Sequence, residues 1–217
     1  MKPLAIVLFL LLPFALQSQN NLEMGVFLGF ANYQGDLVQD PIDLTKTSLS
    51  VGIFTRYHLS PSFKIKGSLY YGFISGDDAN SSTRQARGWS FESKLTELGM
   101  QVEYHPLGKN RYASGGIFKA NISPYLATGI GIINANSTVT VKEAIDKDKF
   151  PEAGKKATAL SVPFIVGLRL DAYEALSIGL EWGWRTTNDY MDGVSEFGNA
   201  KRNDWYLFIG GSLAYVF

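Results

Sequence analysis

Apolar side chains recur at every second position along most of this chain, and the positions between them are small, polar or charged. The clearest case is residues 176–185, where leucine, isoleucine and tryptophan alternate with serine, glycine, glutamate and arginine. A period of two is typical of a β-strand whose two faces have different surroundings. The same test predicts eight strands, at residues 24–30, 49–57, 63–73, 98–104, 122–132, 160–170, 176–185 and 205–217.

The connections between the predicted strands alternate between long and short. The four long ones span residues 34–47, 75–89, 134–156 and 187–203, and the three shorter ones span residues 59–61, 106–117 and 171–174. This alternation is expected of an up-and-down barrel with an even number of strands and both termini in the periplasm. The predicted fold class is therefore all-β, an eight-stranded up-and-down antiparallel transmembrane β-barrel with its long loops outside the cell.

A soluble lipocalin-like or sandwich protein would show the same alternation, with its apolar face turned inward. Aromatic residues near the predicted strand ends favour the membrane barrel, because they resemble interfacial girdles; they are Tyr57, Phe63, Phe73, Tyr104, Trp182, Trp184, Trp205, Tyr215 and Phe217. The opposite face is rich in glycine and carries nine charges, on Glu23, Arg56, Lys64, Lys66, Glu97, Glu103, Arg169, Glu181 and Arg185. We expect that face to line a narrow lumen and the apolar face to contact outer-membrane lipid.

The interior of an eight-stranded barrel is only wide enough for side chains. The nine lumen charges comprise five cations and four carboxylates. We expect them to pair across the lumen as a buried ion network, because an unpaired buried charge is costly. An open pore is not expected, and a narrow water path or a conduit for small solutes is the alternative use of this interior.

The beginning of the chain resembles a secretory signal peptide. Lys2 precedes an apolar run that contains Pro13 and is shorter than the roughly 20 residues that span a bilayer as a helix. We predict a signal peptide at residues 1–18 and the barrel at residues 19–217. The absence of cysteine excludes disulfides, thiolate zinc sites and a lipidated cysteine. Twenty basic and twenty acidic residues leave no excess positive charge for nucleic-acid binding.

Few residues offer catalytic or metal chemistry. His58 and His105 both lie beside predicted short turns, and the serine considered as their partner, Ser60, lies in a turn with no strand to hold it. A hydroxyl nucleophile needs a histidine base and usually an orienting group, so we predict no catalytic residues and no enzyme activity. Asp146 and Asp148 lack the glycine and bidentate glutamate of a calcium loop, so we predict neither a metal site nor a cofactor.

Two segments at predicted strand ends are more specific than composition explains. Residues 33–37 read Y-Q-G-D-L, and residues 185–195 read R-T-T-N-D-Y-M-D-G-V-S. These motifs resemble the PorG-type family of outer-membrane barrels, which is associated with the type IX secretion system. Met191 and Gly193 depart from the family's pattern. The residues that carry the resemblance are Tyr33, Gly35, Asp36, Leu37, Arg185, Thr186, Asp189, Tyr190, Asp192, Val194 and Ser195.

The resemblance extends over residues 23–217 and implies a non-enzymatic barrel in the cell outer membrane, a structural or accessory component of type IX secretion. It also implies attachment to periplasmic secretion-ring proteins, which could reach only the short turns, including the one with Lys109 and Arg111. Outer-membrane barrels resemble one another in having a last strand that ends in an aromatic residue. The barrel-assembly machinery recognises that strand, and Tyr215 and Phe217 are similar to this signal.

Two alternatives stay open from the sequence. One is a general small barrel of the OmpA or OmpW type, acting in envelope integrity or in the passage of small apolar solutes. The other is an enzyme that acts on lipid, which would need a nucleophile at the membrane edge. Each function would use a different part of the molecule. Passage of solutes needs an opening, an enzyme acting on lipid needs a nucleophile at the rim, and the secretion role needs the periplasmic turns.

Overall fold

The computed structural model describes residues 21–34, 47–77, 89–113, 115–141, 155–187 and 205–217. These ranges contain eight strands, namely β1 (Leu22–Gln34), β2 (Ser48–His58), β3 (Phe63–Asp77), β4 (Trp89–Tyr104), β5 (Asn121–Val141), β6 (Lys155–Tyr173), β7 (Leu176–Thr187) and β8 (Trp205–Val216). Within these ranges no helix has the length and apolar character needed to cross a membrane. The signal peptide predicted at residues 1–18 lies outside the described residues.

Each strand pairs antiparallel with its neighbour in the chain, and β1 also pairs with β8, so the sheet closes into a barrel. The closing ladder runs from Glu23 opposite Val216 to Gln34 opposite Trp205. Closure satisfies the backbone hydrogen bonds of both edge strands, which an open sheet would leave unpaired. The predicted fold class, an eight-stranded up-and-down antiparallel barrel, is confirmed. We call its two ends the short-turn end and the long-loop end, after the connections that lie there.

Several strands continue beyond the segments predicted from alternation. β4 begins at Trp89, β5 ends at Val141 and β6 begins at Lys155. Alternation predicts loops at residues 75–89 and 134–156, and this part of the prediction is wrong, because the described ends of both ranges belong to strands. The strands of the long-loop end are therefore longer than the roughly 9–11 residues that cross a membrane.

The two faces of β5 explain why these extensions were missed. Ile130 and Ile132 face outward in the half of the strand that begins at the short-turn end. The next outward positions toward the long-loop end are Asn134 and Asn136. Inward-facing Ile133 is fully buried. The apolar parity thus changes from the outward to the inward face at the point where the strand leaves the lipid, and a test for continuous alternation stops there.

The outward face of the remaining strand portions forms an apolar belt around the barrel. Its exposed side chains include Met24, Val26, Leu28, Ile53, Leu69, Leu98, Met100, Ile130, Leu160, Val166, Leu180 and Leu213. Exposed aromatic side chains lie at both edges of the belt, with Tyr57, Phe63, Tyr104, Tyr173 and Tyr215 at the short-turn end and Phe30, Phe73 and Trp205 at the other. An apolar band between two aromatic girdles is the lipid-facing surface of an outer-membrane barrel.

The interior is divided into two parts along the barrel axis. Toward the long-loop end it is filled by buried apolar and aromatic side chains, which we call the aromatic plug: Phe27, Ala31, Tyr33, Tyr70, Ile74, Phe91, Leu95, Ile133, Ala135, Ala159, Tyr206 and Phe208. Toward the short-turn end the interior is charged. A filled, polar lumen is predicted above from the nine charges and the glycines of the inward face, and the plug corrects that prediction for the long-loop end. Apolar groups are stable there because surrounding side chains exclude water from them.

Candidate functional site

The side chains of all nine predicted lumen charges lie inside the barrel, and none is more than 6% exposed. They are Glu23 on β1, Arg56 on β2, Lys64 and Lys66 on β3, Glu97 and Glu103 on β4, Arg169 on β6, and Glu181 and Arg185 on β7. Alternation directs each of them inward. The register of the strands then determines which of them meet.

Arg56 is the centre of the charged network. Its guanidinium pairs with Glu23, with Glu103 at 2.7 Å and with Glu181 at 3.7 Å. Glu23 faces Arg56 directly in the β1–β2 register, whereas Glu103 and Glu181 reach it from β4 and β7. One guanidinium therefore holds carboxylates from three strands together, and the narrow interior of an eight-stranded barrel brings these strands close enough for that.

Glu181 accepts hydrogen bonds from three side chains. The donors are the Lys66 ammonium, the Tyr70 hydroxyl at 3.1 Å and the Tyr125 hydroxyl at 2.8 Å. The Tyr125 ring packs directly against Gly167, which has no side chain. A Cβ built on Gly167 would be only 2.2 Å from that ring. The glycines of the inward face thus give space to the tyrosines that bind the network.

Glu23 connects the network to the short-turn end. Its carboxylate pairs with Arg169 at 2.5 Å and accepts a hydrogen bond from Ser177 at 2.9 Å, and it lies 3.1 Å from Nε2 of His58. Arg169 also binds Asp171 at 2.8 Å. The sequence analysis placed Asp171 in a turn and so missed it. β6 continues to Tyr173, and the inward parity of that extension brings Asp171 into the lumen.

A second, smaller cluster lies at the boundary with the aromatic plug. Glu97 pairs with Arg185 at 3.3 Å and accepts a hydrogen bond from the Tyr206 hydroxyl. The guanidinium of Arg185 stacks 4.7 Å from the centre of the Phe208 ring and 5.5 Å from that of Tyr70. Arg185 belongs to both the lumen charges and the family motif, and its position here is that of a packed interior cation.

Lys64 is the exception among the five lumen cations. Within the described part of the chain its ammonium forms no ion pair and no hydrogen bond, although the side chain is 94% buried, being 6% exposed. Its cross-strand neighbours are His58 and Glu103, and Glu103 pairs with Arg56 instead. Among the described residues, the network therefore leaves the Lys64 ammonium without a carboxylate in ion-pair contact, at the short-turn end.

The structure also brings together Ser123, His105 and Glu103. Glu103 is a predicted lumen charge and His105 lies beside a predicted turn, but the sequence does not indicate that they meet, and it does not single out Ser123. Nδ1 of His105 lies 3.1 Å from the hydroxyl of Ser123, and Nε2 lies 3.3 Å from Glu103. Burial lowers the pKa of His105, while its hydrogen bond to Glu103 opposes that effect. The single proton of Ser123 has a competing acceptor, the carbonyl oxygen of Pro124 at 3.3 Å. We interpret the trio as an anchor for the segment that begins at His105.

That segment is the connection between β4 and β5, and it folds over the short-turn end. Arg111 donates hydrogen bonds to the carbonyl oxygens of Tyr173 and Glu174 at 3.2 and 2.8 Å. Tyr112 pairs with Phe118 through an isolated β-bridge, so the connection contains a small hairpin. Between this connection and the lumen lies a cavity of about 550 Å³, which we call the mouth cavity.

The motif residues that carry the family resemblance are only partly described. Tyr33 is buried in the aromatic plug, with its ring 4.8 Å from that of Phe91, and Thr186 is half-buried next to Arg185. The others lie outside the described residues: Gly35, Asp36, Leu37, Asp189, Tyr190, Asp192, Val194 and Ser195. Tyr215 and Phe217 are exposed at the short-turn end, with ring centres 5.0 Å apart.

The described residues include no group of three histidine, cysteine, aspartate or glutamate side chains placed to hold a metal ion. Asp146 and Asp148, considered above for calcium, lie outside that part of the chain. What the described residues offer chemically is a set of buried ion pairs, the Lys64 ammonium with no ion-pair partner among them, and a cavity at one end.

Comparison with known proteins adds a family and a fold. No curated protein sequence matches this chain. A family described as a domain of unknown function, DUF6089, matches residues 1–217. Neisserial surface protein A has a similar structure, with a TM-score of 0.56 at 11% identity over 90% of this chain and 97% of that one.

Two further solved barrels are less similar. Ail, the attachment invasion locus protein of Yersinia pestis, has a TM-score of 0.48 at 10% identity over 91% of this chain and 99% of that one. The N-terminal β-barrel domain of Pseudomonas aeruginosa OprF has a TM-score of 0.47 at 13% identity over 93% and 100%. The closed eight-stranded barrel and its apolar belt place the chain in the outer membrane, in contact with lipid.

Proposed function

This chain belongs to the family defined by the domain of unknown function DUF6089, and from that premise we propose that it is a non-enzymatic barrel serving type IX protein secretion as a structural or accessory component. The sequence motifs of the PorG-type barrels support this role. A periplasmic ring of the secretion machine is the partner that the resemblance implies, and the short turns are where it would attach.

The filled interior of the barrel favours a function that is carried out by its outer surfaces. The aromatic plug fills the lumen toward the long-loop end, and Arg56, Glu23 and Glu181 hold one another in place toward the other end. Rearranging either part would break buried contacts or separate buried charges, which is costly. The surfaces at the two ends are therefore better candidates for function than the lumen.

The observation that carries the proposal is the structured connection between β4 and β5. It presents Leu107 and Ile117 to solvent, 58% and 68% exposed, with the exposed Lys109 between them in sequence. Large apolar side chains on a surface outside the lipid belt are typical of a protein interaction site. Arg111 fixes this connection to the β6–β7 turn, so the apolar side chains are held in a defined place.

The role of this surface is tested by the variants Lys109→Glu and Ile117→Asp. We expect both to reduce the recovery of ring proteins in crosslinked pulldowns from detergent-solubilised envelopes, and to leave type IX cargo in the periplasm. Lys94→Glu, an exposed site near the long-loop end of β4, is the matched control and should change neither result. Membrane levels of all three variants should equal that of the unmodified protein.

Arg111 is not suitable for this test, although the sequence analysis grouped it with Lys109. Its side chain is 8% exposed and is bound to two backbone carbonyls of the β6–β7 turn. A charge reversal there would disrupt the connection itself. Loss of secretion in such a variant would not distinguish a lost partner from a disordered surface.

The second candidate function is that of a general small outer-membrane barrel, acting in envelope integrity or on small apolar solutes. The outward face has an apolar groove of about 840 Å³, where Gly67 leaves a gap between Ile53, Leu69 and Met100. This groove favours the second function, because an apolar solute has a surface to bind there. A deletion strain decides between the two functions. Intact cargo secretion with altered sensitivity to detergent or bile would contradict the secretion role and support the general barrel.

A further inference from the structure

The mouth cavity is large enough for an organic molecule. Its volume of about 550 Å³ is within the range of about 300–1,000 Å³ that small-ligand sites occupy in proteins. Polar and charged side chains from several elements line it, including His58, Lys64, Arg111 and Asp171, together with Pro61 and Tyr112. A bare ion would occupy only a small part of this space.

The charge that lines the cavity is predominantly positive. Lys64 is unpaired within the described residues, as shown above, and Lys109 and Arg111 also line the cavity. Asp171 is the acidic residue among the described lining side chains, and its Oδ1 is already bound by two nitrogens of Arg169 at 3.0 and 2.8 Å. Nε of Arg111 also lies 3.6 Å from this same oxygen.

The Lys64 side chain is largely withdrawn from water and lines the cavity. A cation in such a place is unfavourable without a carboxylate in ion-pair contact, because the desolvation of its charge is not offset. The other four lumen cations each bind at least one carboxylate, so the chain pairs buried charges wherever it can. Nε and Nη1 of Arg111 are also buried without a hydrogen-bond partner in the described structure. Both residues could be compensated by one negatively charged group in the mouth cavity.

We propose that the mouth cavity is a binding site for a small organic anion, whose carboxylate or phosphate group pairs with the ammonium of Lys64. The guanidinium of Arg111 and the ammonium of Lys109 add positive potential at the same site. Pro61 and Tyr112 give the body of the ligand an apolar surface to pack against. This site shares Lys109 with the surface of the proposed secretion role, but its ligand pairs with Lys64 inside the barrel, and Lys64 is not part of that surface.

The experiment uses the full chain, refolded in detergent micelles and labelled with ¹⁵N and with ¹³C at the lysine ε-carbon. The probes are benzoate, phenyl phosphate, benzylamine and benzyl alcohol, which share a ring and differ in charge. We expect benzoate or phenyl phosphate to shift the amide signals of residues 108–112 and the ε-carbon signal of Lys64, with saturation. Benzylamine and benzyl alcohol should bind at least tenfold more weakly.

Variants of Lys64 complete the test. Lys64→Met should weaken binding of the anionic probe at least tenfold, Lys64→Arg should retain most of it, and Lys94→Met, at the far end of β4, should leave it unchanged. A tighter benzoate complex indicates a carboxylate ligand, and a tighter phenyl phosphate complex a phosphate ligand. Equal binding of benzylamine, or an unchanged affinity in Lys64→Met, would overturn the proposal. If Lys64→Met does not fold, the unmodified protein still tests the proposal. An ε-carbon signal of Lys64 that does not move when the anionic probe is added would overturn it.

Discussion

Buried carboxylates in this barrel are stabilised by several partners at once, and Glu181 is the clearest example. Lys66, Tyr70 and Tyr125 donate hydrogen bonds to it, and Arg56 lies 3.7 Å away. Removing one charge from such a cluster leaves its partner charged and buried, which costs more than the pair itself contributes. The stability of the lumen therefore depends on complete clusters more than on any single contact.

Glu181→Gln should destabilise the barrel by about 3 kcal/mol, because the Lys66 ammonium would then have no carboxylate partner. Urea unfolding in lipid vesicles, followed by the gel mobility of unboiled samples, measures this change. The control is Glu92→Gln on the exposed face of β4, which should change stability by less than about 0.5 kcal/mol. Adding Lys66→Met to Glu181→Gln should recover part of the lost stability. A double variant no more stable than Glu181→Gln alone would contradict the pairing of Lys66 with Glu181.

Gly167→Ala should also destabilise the barrel, because the new Cβ would be 2.2 Å from the ring of Tyr125. Tyr125 would have to move, and its hydrogen bond to Glu181 would lengthen or break. Gly67→Ala is the matched control, since the Cβ there faces outward and its nearest neighbour is the Thr55 hydroxyl at 3.5 Å. Thermal unfolding in micelles should show a lower midpoint for Gly167→Ala alone, and equal midpoints would contradict the close contact.

At the level of elements, the connection between β4 and β5 is bound to the carbonyl oxygens of Tyr173 and Glu174 by one side chain. Arg111 donates to the carbonyl oxygens of Tyr173 and Glu174, and Gly108 donates its backbone N–H to His105. Arg111→Gln should release the connection from the β6–β7 turn without opening the strands. Limited proteolysis should then cut within residues 106–120. Lys109→Gln, at an exposed neighbour, should be as resistant as the unmodified protein.

The last strand can be tested as an assembly signal without shortening the barrel. Phe217 is exposed at the short-turn end, so Phe217→Ala removes a side chain and keeps the β1–β8 ladder. We expect a several-fold lower level in the outer membrane, with unchanged refolding into micelles. Tyr173→Ala, at another exposed aromatic of the same end, is the control. Equal membrane levels of the two variants would contradict the signal.

How much of each element the sequence predicts depends on what the strand faces. Alternation identified all eight strands where lipid lies on one side and the lumen on the other. It failed on β5 beyond Ile132, where the outward residues become polar and Ile133 and Ala135 face inward. Contrast between the two faces is the signal, and it is informative only within the membrane.

The candidate site shows the same limit at the scale of the whole molecule. Parity alone indicates that Arg56 and Glu181 point inward, but their pairing depends on which strands face each other across a closed barrel. His105 and Ser123 are separated by eighteen positions and meet through the β4–β5 register. Lys64 is one of nine lumen charges in the sequence, and only the network shows that, among the described residues, no carboxylate is in ion-pair contact with it.

The orientation of the whole barrel decides whether a periplasmic partner can reach the β4–β5 connection. Because the chain has no cysteine, a single cysteine can be labelled without background. Long loops of outer-membrane barrels face outside and short turns face the periplasm. A cysteine at Asp148 should therefore react with a membrane-impermeant maleimide on intact cells, whereas one at Tyr173, which is 69% exposed, should react only after the outer membrane is permeabilised. Labelling of Tyr173→Cys on intact cells would place the short-turn end outside the cell and exclude contact with a periplasmic ring.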